Sequence, residues 1–243
     1  MQLSTYTSGS GPRRVGLVHG LAASAATWQP FADRLLATGN YTVVTVDLRG
    51  HGTSPRSASY AVDALADDLV ESLPSGLDSV VGHSLGGSVL ARAVDRLAPG
   101  RAIYLDPGFH LALPTTGVKG KLFWAAPLLT LGVAQLPQAR KQKVVKAGYP
   151  QGVRDLLDHA QAQFDRKMAL GIFRDVAFHP IPAEPPAIPS TIVLSDDSPA
   201  VLPEAVVPAY QTAGWDVRRI SGIHHDMQLE NPDRVFAAIR DVL

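Results

Sequence analysis

Along the chain, short apolar runs rich in β-branched residues alternate with stretches whose apolar positions recur at three- and four-residue spacing. The strand-like runs are residues 15–19, 41–47, 79–82, 101–106, 191–195 and 216–220, and most end in a turn-rich segment. Helical spacing covers residues 61–73, closed by Pro74, and 85–97, closed by Pro99 and Gly100. Residues 203–213 and 232–243 complete the helices, with Asn231 placed as a cap before Pro232. This alternation predicts an α/β fold with a mainly parallel, doubly wound sheet. The rhythm breaks over residues 109–180, where the pattern turns helical and proline-interrupted. We read that stretch as a helical cap inserted into a core formed by residues 1–108 and 181–243. The proline-rich residues 181–189 form a stiff connector back to the sheet.

Composition acts mainly by exclusion. With 243 residues, 46% of them hydrophobic and 18% charged, the chain reads as one large globular core with an insertion rather than a disordered or fibrous protein. The absence of cysteine removes disulfides, thiolate metal sites and a cysteine nucleophile. Lys+Arg and Asp+Glu balance at 22 each, so no net field draws the protein to nucleic acid or to anionic lipid, and neither is expected as a partner. The balance is not uniform, because residues 109–180 hold ten basic and four acidic residues and leave the rest of the chain acidic. A solvated helical face is the plain reading of that excess; attraction of an anionic substrate is the other. The N-terminal segment lacks a basic stretch followed by an apolar one, so no signal peptide is read and a cytoplasmic location is expected. Residues 122–136 are the most apolar later stretch, but they contain Pro127 and Gly132 and fall short of the roughly 20 residues a membrane span needs.

The sharpest chemical feature is Gly82-His83-Ser84-Leu85-Gly86-Gly87, a G-x-S-x-G sequence between a predicted strand and a predicted helix. A serine at such a turn adopts a strained backbone, and the flanking glycines leave room for it. Serine is a poor nucleophile near neutral pH and needs a base, with a carboxylate to orient that base. His224 and His225, in a turn after the last predicted strand, can each supply the base. A metal site built from His224, His225 and Asp226 is disfavoured, since adjacent loop residues diverge.

With these motifs the chain resembles the α/β-hydrolase superfamily across nearly its whole length. Val18-His19-Gly20-Leu21 is similar to the family's HG turn, and residues 47–54 (Asp47-Leu48-Arg49-Gly50-His51-Gly52-Thr53-Ser54) to its D-x-R-G-H-G-x-S loop. The resemblance implies Ser84 as nucleophile and His225, seven residues before Pro232, as base. It implies an acid after the strand at 191–195, for which Asp197 is chosen, with Asp196 and Asp106 as alternatives. The backbone N–H groups of Leu21 and Leu85 are the implied oxyanion hole. No cofactor or metal is implied. The expected activity is hydrolysis of a small or medium acyl substrate, a carboxylic ester or else a lactone or thioester, through an acyl-enzyme. A small-molecule receptor with a retained triad, an acyltransferase, a carbon–carbon hydrolase and a perhydrolase are the alternatives. Within the cap, Leu122, Phe123, Trp124, Leu128 and Leu129 are proposed to line the acyl site.

Overall fold

The computed structural model describes residues 1–243 except the side chains of Leu128, Gln135 and Gln138. Seven strands form one sheet: β1 (Thr5–Gly9), β2 (Arg13–Val18), β3 (Tyr41–Val46), β4 (Ser79–His83), β5 (Arg101–Leu105), β6 (Ser190–Leu194) and β7 (Asp216–Arg219). Their order is β1-β3-β2-β4-β5-β6-β7. Only β1 pairs antiparallel, at the edge against β3; every other pairing is parallel. Strands β4 and β6 are buried along their full length, as continuous apolar runs in a sheet covered on both faces should be.

Side chains alternate across the sheet and so divide the core in two. On one face, Val80 and Tyr104 pack with Leu65, Leu69, Val89 and Leu90 of α2 (Val62–Ser72) and α3 (Leu85–Leu97). On the other, Leu17, Val81 and Ile103 pack with Phe31 and Leu35 of α1 (Gln29–Leu36) and with Val235 and Ile239 of the terminal helix Pro232–Ile239. Burial of each such side chain contributes about 1.5–3 kcal/mol, which fixes the helices on the sheet.

Between β5 and β6 the chain forms α4 (Gly117–Ala125), α5 (Pro127–Ala147), α6 (Gln151–Gln163) and α7 (Met168–Phe178). The neck of this excursion closes where Ile181 N–H donates to Phe109 C=O at 3.0 Å. Phe109 is itself buried against Tyr104, Tyr210 and Trp215. Met168, Ile172 and Val176 join α7 to the α2–α3 core. After β6 come α8 (Val207–Thr212), α9 (Met227–Glu230) and α10 (Pro232–Ile239), and the Asn231 side chain caps α10 by accepting from Arg234 N–H at 3.1 Å. No helix among the described residues is long and apolar enough to cross a membrane.

The parallel register aligns Val18 with Gly82, His83 with Leu105, and Leu105 with Val193. The carboxyl ends of β2, β4, β5 and β6 therefore meet at one sheet edge, and the residues that follow them face a common space.

Candidate active site

Ser84 connects β4 to α3 with φ 52° and ψ −115°, a left-handed conformation that a non-glycine residue holds only when its surroundings impose it. They do. Ser84 N–H donates to Leu105 C=O at 3.0 Å, and Ser84 C=O accepts from the N–H groups of Gly87 and Gly108, each at 3.0 Å. The glycines give the turn its clearance: a Cβ on Gly82 would stand 2.6 Å from Gly86 O, and one on Gly86 would stand 2.3 Å from Val18 O.

His225 meets Ser84 from the loop before α9. Its Nδ1–H donates to Asp106 Oδ2 at 3.1 Å, leaving Nε2 to accept from the Ser84 hydroxyl at 3.0 Å. The carboxylate behind the imidazole is thus Asp106, at the end of β5, and not Asp197. Asp106 is completely buried and also has positive φ, 40°. It accepts from Ser195 N–H at 2.8 Å and from the hydroxyls of Ser195 and Ser198. In the sequence Ser195-Asp196-Asp197-Ser198, the serines reach inward to this carboxylate and the aspartates turn elsewhere. Asp197 accepts the backbone N–H of His225 at 3.3 Å and pairs with Lys141; Asp196 accepts Gly222 N–H at 2.9 Å. His224 points away to Glu230, with its Nδ1 3.2 Å from the carboxylate. No group of three or more His, Cys, Asp or Glu among the described residues is placed to hold a metal ion.

Charge follows from these contacts. Burial opposes a charged imidazole at His225, but the hydrogen bond and charge of Asp106 outweigh it and raise the pKa above the ordinary histidine value. At Asp106 burial favours the neutral acid, yet the hydrogen bond and charge of His225 and the two serine hydroxyls hold the carboxyl below its usual range. His83, beside the nucleophile, is pushed down to about 4 by burial and by the neighbouring His225; its Nε2–H donates to His225 C=O at 2.9 Å.

Two further neutral histidines shape the turn after β2. Burial lowers His19 to about 4 and His51 to about 3, the latter assisted by the nearby His19. His19 donates from Nδ1 to Gly20 C=O at 2.7 Å and accepts Leu48 N–H at Nε2 at 3.0 Å. His51 accepts Ala22 N–H at Nε2 at 3.1 Å. They clamp the loop that carries Leu21. The N–H groups of Leu21 and Leu85 have no hydrogen-bond partner among the described residues, and both residues line the cavity over Ser84.

That cavity encloses about 320 Å³. Leu111, Leu157, Ile172, Phe173 and Val176 give it an apolar side, while Gln142, Lys146, Gln161 and Gln228 give it a polar one. Lys146 also pairs with Asp226 at 3.2 Å and ties α5 to the loop carrying His225, while Lys141 ties it to the loop after β6 through Asp197. Leu122, Phe123, Trp124 and Leu129 are absent from the lining, and Leu122 and Leu129 are 68% and 70% exposed. The Leu128 side chain lies outside the described residues. The apolar lining from these four helices instead comes from α6 and α7, whose inward faces the apolar count along α4 and α5 does not reveal. A larger and more open groove between α2, α3, α7 and the proline-rich connector contains none of Ser84, Asp106 or His225.

A family model described as the alpha/beta hydrolase family matches residues 17–238. Over 100 residues, 41% of this chain, the sequence is 38% identical to the pimeloyl-[acyl-carrier protein] methyl ester esterase of Methylococcus capsulatus, covering 37% of that protein. Over 97 residues, 37% of this chain, it is 37% identical to the 2-(acetamidomethylene)succinate hydrolase of Mesorhizobium japonicum, covering 34% of that one. The matched stretch thus spans little more than a third of each relative. A thermophilic esterase from Thermogutta terrifontis superposes with TM-score 0.75 at 21% identity, over 98% of this chain and 92% of its own. An epoxide hydrolase from Bacillus megaterium does so with TM-score 0.74 at 18% identity, over 99% and 96%. At such identities these likenesses speak for the fold.

Proposed function

The chain belongs to the alpha/beta hydrolase family, and from that premise we propose that it is a carboxylic-ester hydrolase working through Ser84, His225 and Asp106. The observation that carries this reading is the continuous relay from Asp106 through His225 to Ser84, with contacts of 3.1 and 3.0 Å, beneath a partly apolar cavity. Relatives whose names include esterase and hydrolase agree with it. A serine at the elbow suits acyl transfer, whereas opening an alkyl carbon–oxygen bond calls for a carboxylate nucleophile.

His225 takes the Ser84 proton as Oγ attacks the substrate carbonyl carbon. The resulting oxyanion is received by the N–H groups of Leu21 and Leu85, which have no partner among the described residues to give up and belong to residues that line the cavity. Ionised Asp106 stabilises the imidazolium, which passes its proton to the departing alkoxide. Water then enters, gives a proton to His225 as its oxygen attacks the acyl carbon, and His225 passes that proton to Ser84 Oγ as the bond to the acyl group breaks and the acid leaves. Helices α4 to α7 act as the cap, and the apolar side of the cavity receives the acyl chain.

Turnover of a panel of short aryl esters, lactones and amides tests this function. Repeated cycles on the esters, abolished by Ser84→Ala, are expected; a single slow burst with lasting occupancy would make the protein a receptor instead.

A further inference from the structure

The four helices between β5 and β6 divide into two unlike pairs. α6 and α7 turn most of their apolar residues inward, with Leu157, Met168, Ile172 and Val176 buried and Phe178 exposed at the helix end. α4 and α5 turn most of their aliphatic residues outward, although Leu131 is buried. Val118 is 73% exposed, Leu122 68%, Leu129 70%, Val133 60% and Leu136 49%. Residues 118 and 122 share one face of α4, and residues 129, 133 and 136 share one face of α5. That second face continues, at the same spacing, to Arg140 and Lys143. Lys119, Lys121, Arg140 and Lys143 are all exposed, and none forms an ion pair among the described residues.

Residues 107–154 carry seven basic residues and no acidic one. The balanced total charge of the chain conceals this, because the fold gathers six of the seven on the same two helices that expose the apolar ridge. Contiguous apolar surface with a charged rim marks a binding site. A second copy docked by two-fold symmetry would press the basic rim against itself, with no carboxylate in the segment to relieve it. An anionic bilayer meets both demands: the aliphatic side chains enter the headgroup boundary, and the lysines and arginine lie among the phosphates.

We propose that the exposed face of α4 and α5 is a docking surface for an anionic lipid bilayer, on which the protein lies without spanning it. α5 lines the reactive cavity through Gln142 and Lys146 on its other flank. A docked molecule therefore holds that cavity about 10 Å, one helix diameter, from the lipid.

The test is co-sedimentation of the full chain with phosphatidylcholine vesicles, with and without about a third phosphatidylglycerol. Two variants accompany it, Leu129→Asn with Val133→Asn, and Lys121→Gln with Lys143→Gln. Thermal melting follows their folding, so the outcome does not depend on ester turnover. Wild-type protein is expected to sediment with the anionic vesicles only, and less so as salt rises. The lysine variant should bind about 25-fold more weakly, about fivefold per charge, and the apolar variant at least as weakly. Absence of wild-type binding overturns the proposal. So does binding lost in the lysine variant and intact in the apolar one, the mark of a charge-only surface for an acidic protein. A lipid-free dimer abolished by the apolar variant gives the face to a second copy and overturns it as well.

Discussion

Replacing Asp106 by asparagine should disable the site through a specific sequence of hydrogen bonds. Oδ1 accepts from Ser195 N–H and the Ser198 hydroxyl; Oδ2 accepts from His225 Nδ1–H and the Ser195 hydroxyl. Hydroxyls can rotate to become acceptors, but Ser195 N–H cannot, so the asparagine oxygen stays on that side and its NH₂ faces His225. The imidazole then accepts at Nδ1 and carries its proton on Nε2, where it can no longer receive one from Ser84. Loss of the same tautomer in a protease triad costs about 10⁴-fold in turnover, equivalent to about 5.5 kcal/mol. A loss of that order is expected here. Asp197→Asn removes only a pair with the half-exposed Lys141 and weakens a 3.3 Å contact to His225 N–H. Among the described residues Asp197 makes no hydrogen bond to the imidazole ring, and an amide oxygen in its place can still accept His225 N–H, so a loss below about tenfold, under about 1.4 kcal/mol, is expected. The assay is kcat/KM on a short aryl ester, with thermal melting to verify folding. A greater loss for Asp197→Asn than for Asp106→Asn would refute the argument.

Three further outcomes follow from the same geometry. Because the base must be neutral and its pKa is raised, kcat/KM should fall with decreasing pH at a midpoint above about 6.5; a midpoint below that value would count against the Asp106 contact. Ile172→Ala and Phe173→Ala, which enlarge the apolar side of the cavity, should shift acyl-chain preference by about fourfold per methylene, whereas Leu122→Ala should leave it unchanged. An identical chain-length profile in all three would remove α7 from the acyl site. Gly86→Ala, whose Cβ would collide with Val18 O at 2.3 Å, should lower the melting temperature and abolish turnover together; wild-type behaviour would contradict the packing described for the elbow.

Legibility of the fold in the sequence tracks how local each constraint is. The elbow is readable because the residues it requires lie within six positions, even though Gly86 answers to the distant Val18, and helix α3 begins and ends where the apolar spacing and Pro99 indicate. Strand β1 goes unread because Thr5–Gly9 is a fully exposed edge strand without apolar alternation. Helix α1 goes unread as well: Trp28 caps it with no side-chain hydrogen bond, and Pro30 in its first turn is its one local starting signal. The choice between Asp106 and Asp197 is a tertiary question. Asp106 lies 119 positions from His225, and only the pairing of β5 with β6 brings Ser195 and Ser198 onto it. The D-x-R-G-H-G-x-S loop is conspicuous in sequence, yet its contribution is indirect: His51 positions the turn before the cavity, and Arg49 pairs with Asp68. Apolar content along α4 and α5 suggests lining residues, but helical phase turns Leu122 and Leu129 outward.

The most direct measurement of the central claim is mass spectrometry of the enzyme quenched during turnover of a short aryl ester. An added acyl group on the peptide containing Ser84 is predicted, its population rising in time with the first burst of released phenol and absent from Ser84→Ala. Steady turnover without that adduct, or an adduct on another residue, would contradict an acyl-enzyme formed at Ser84.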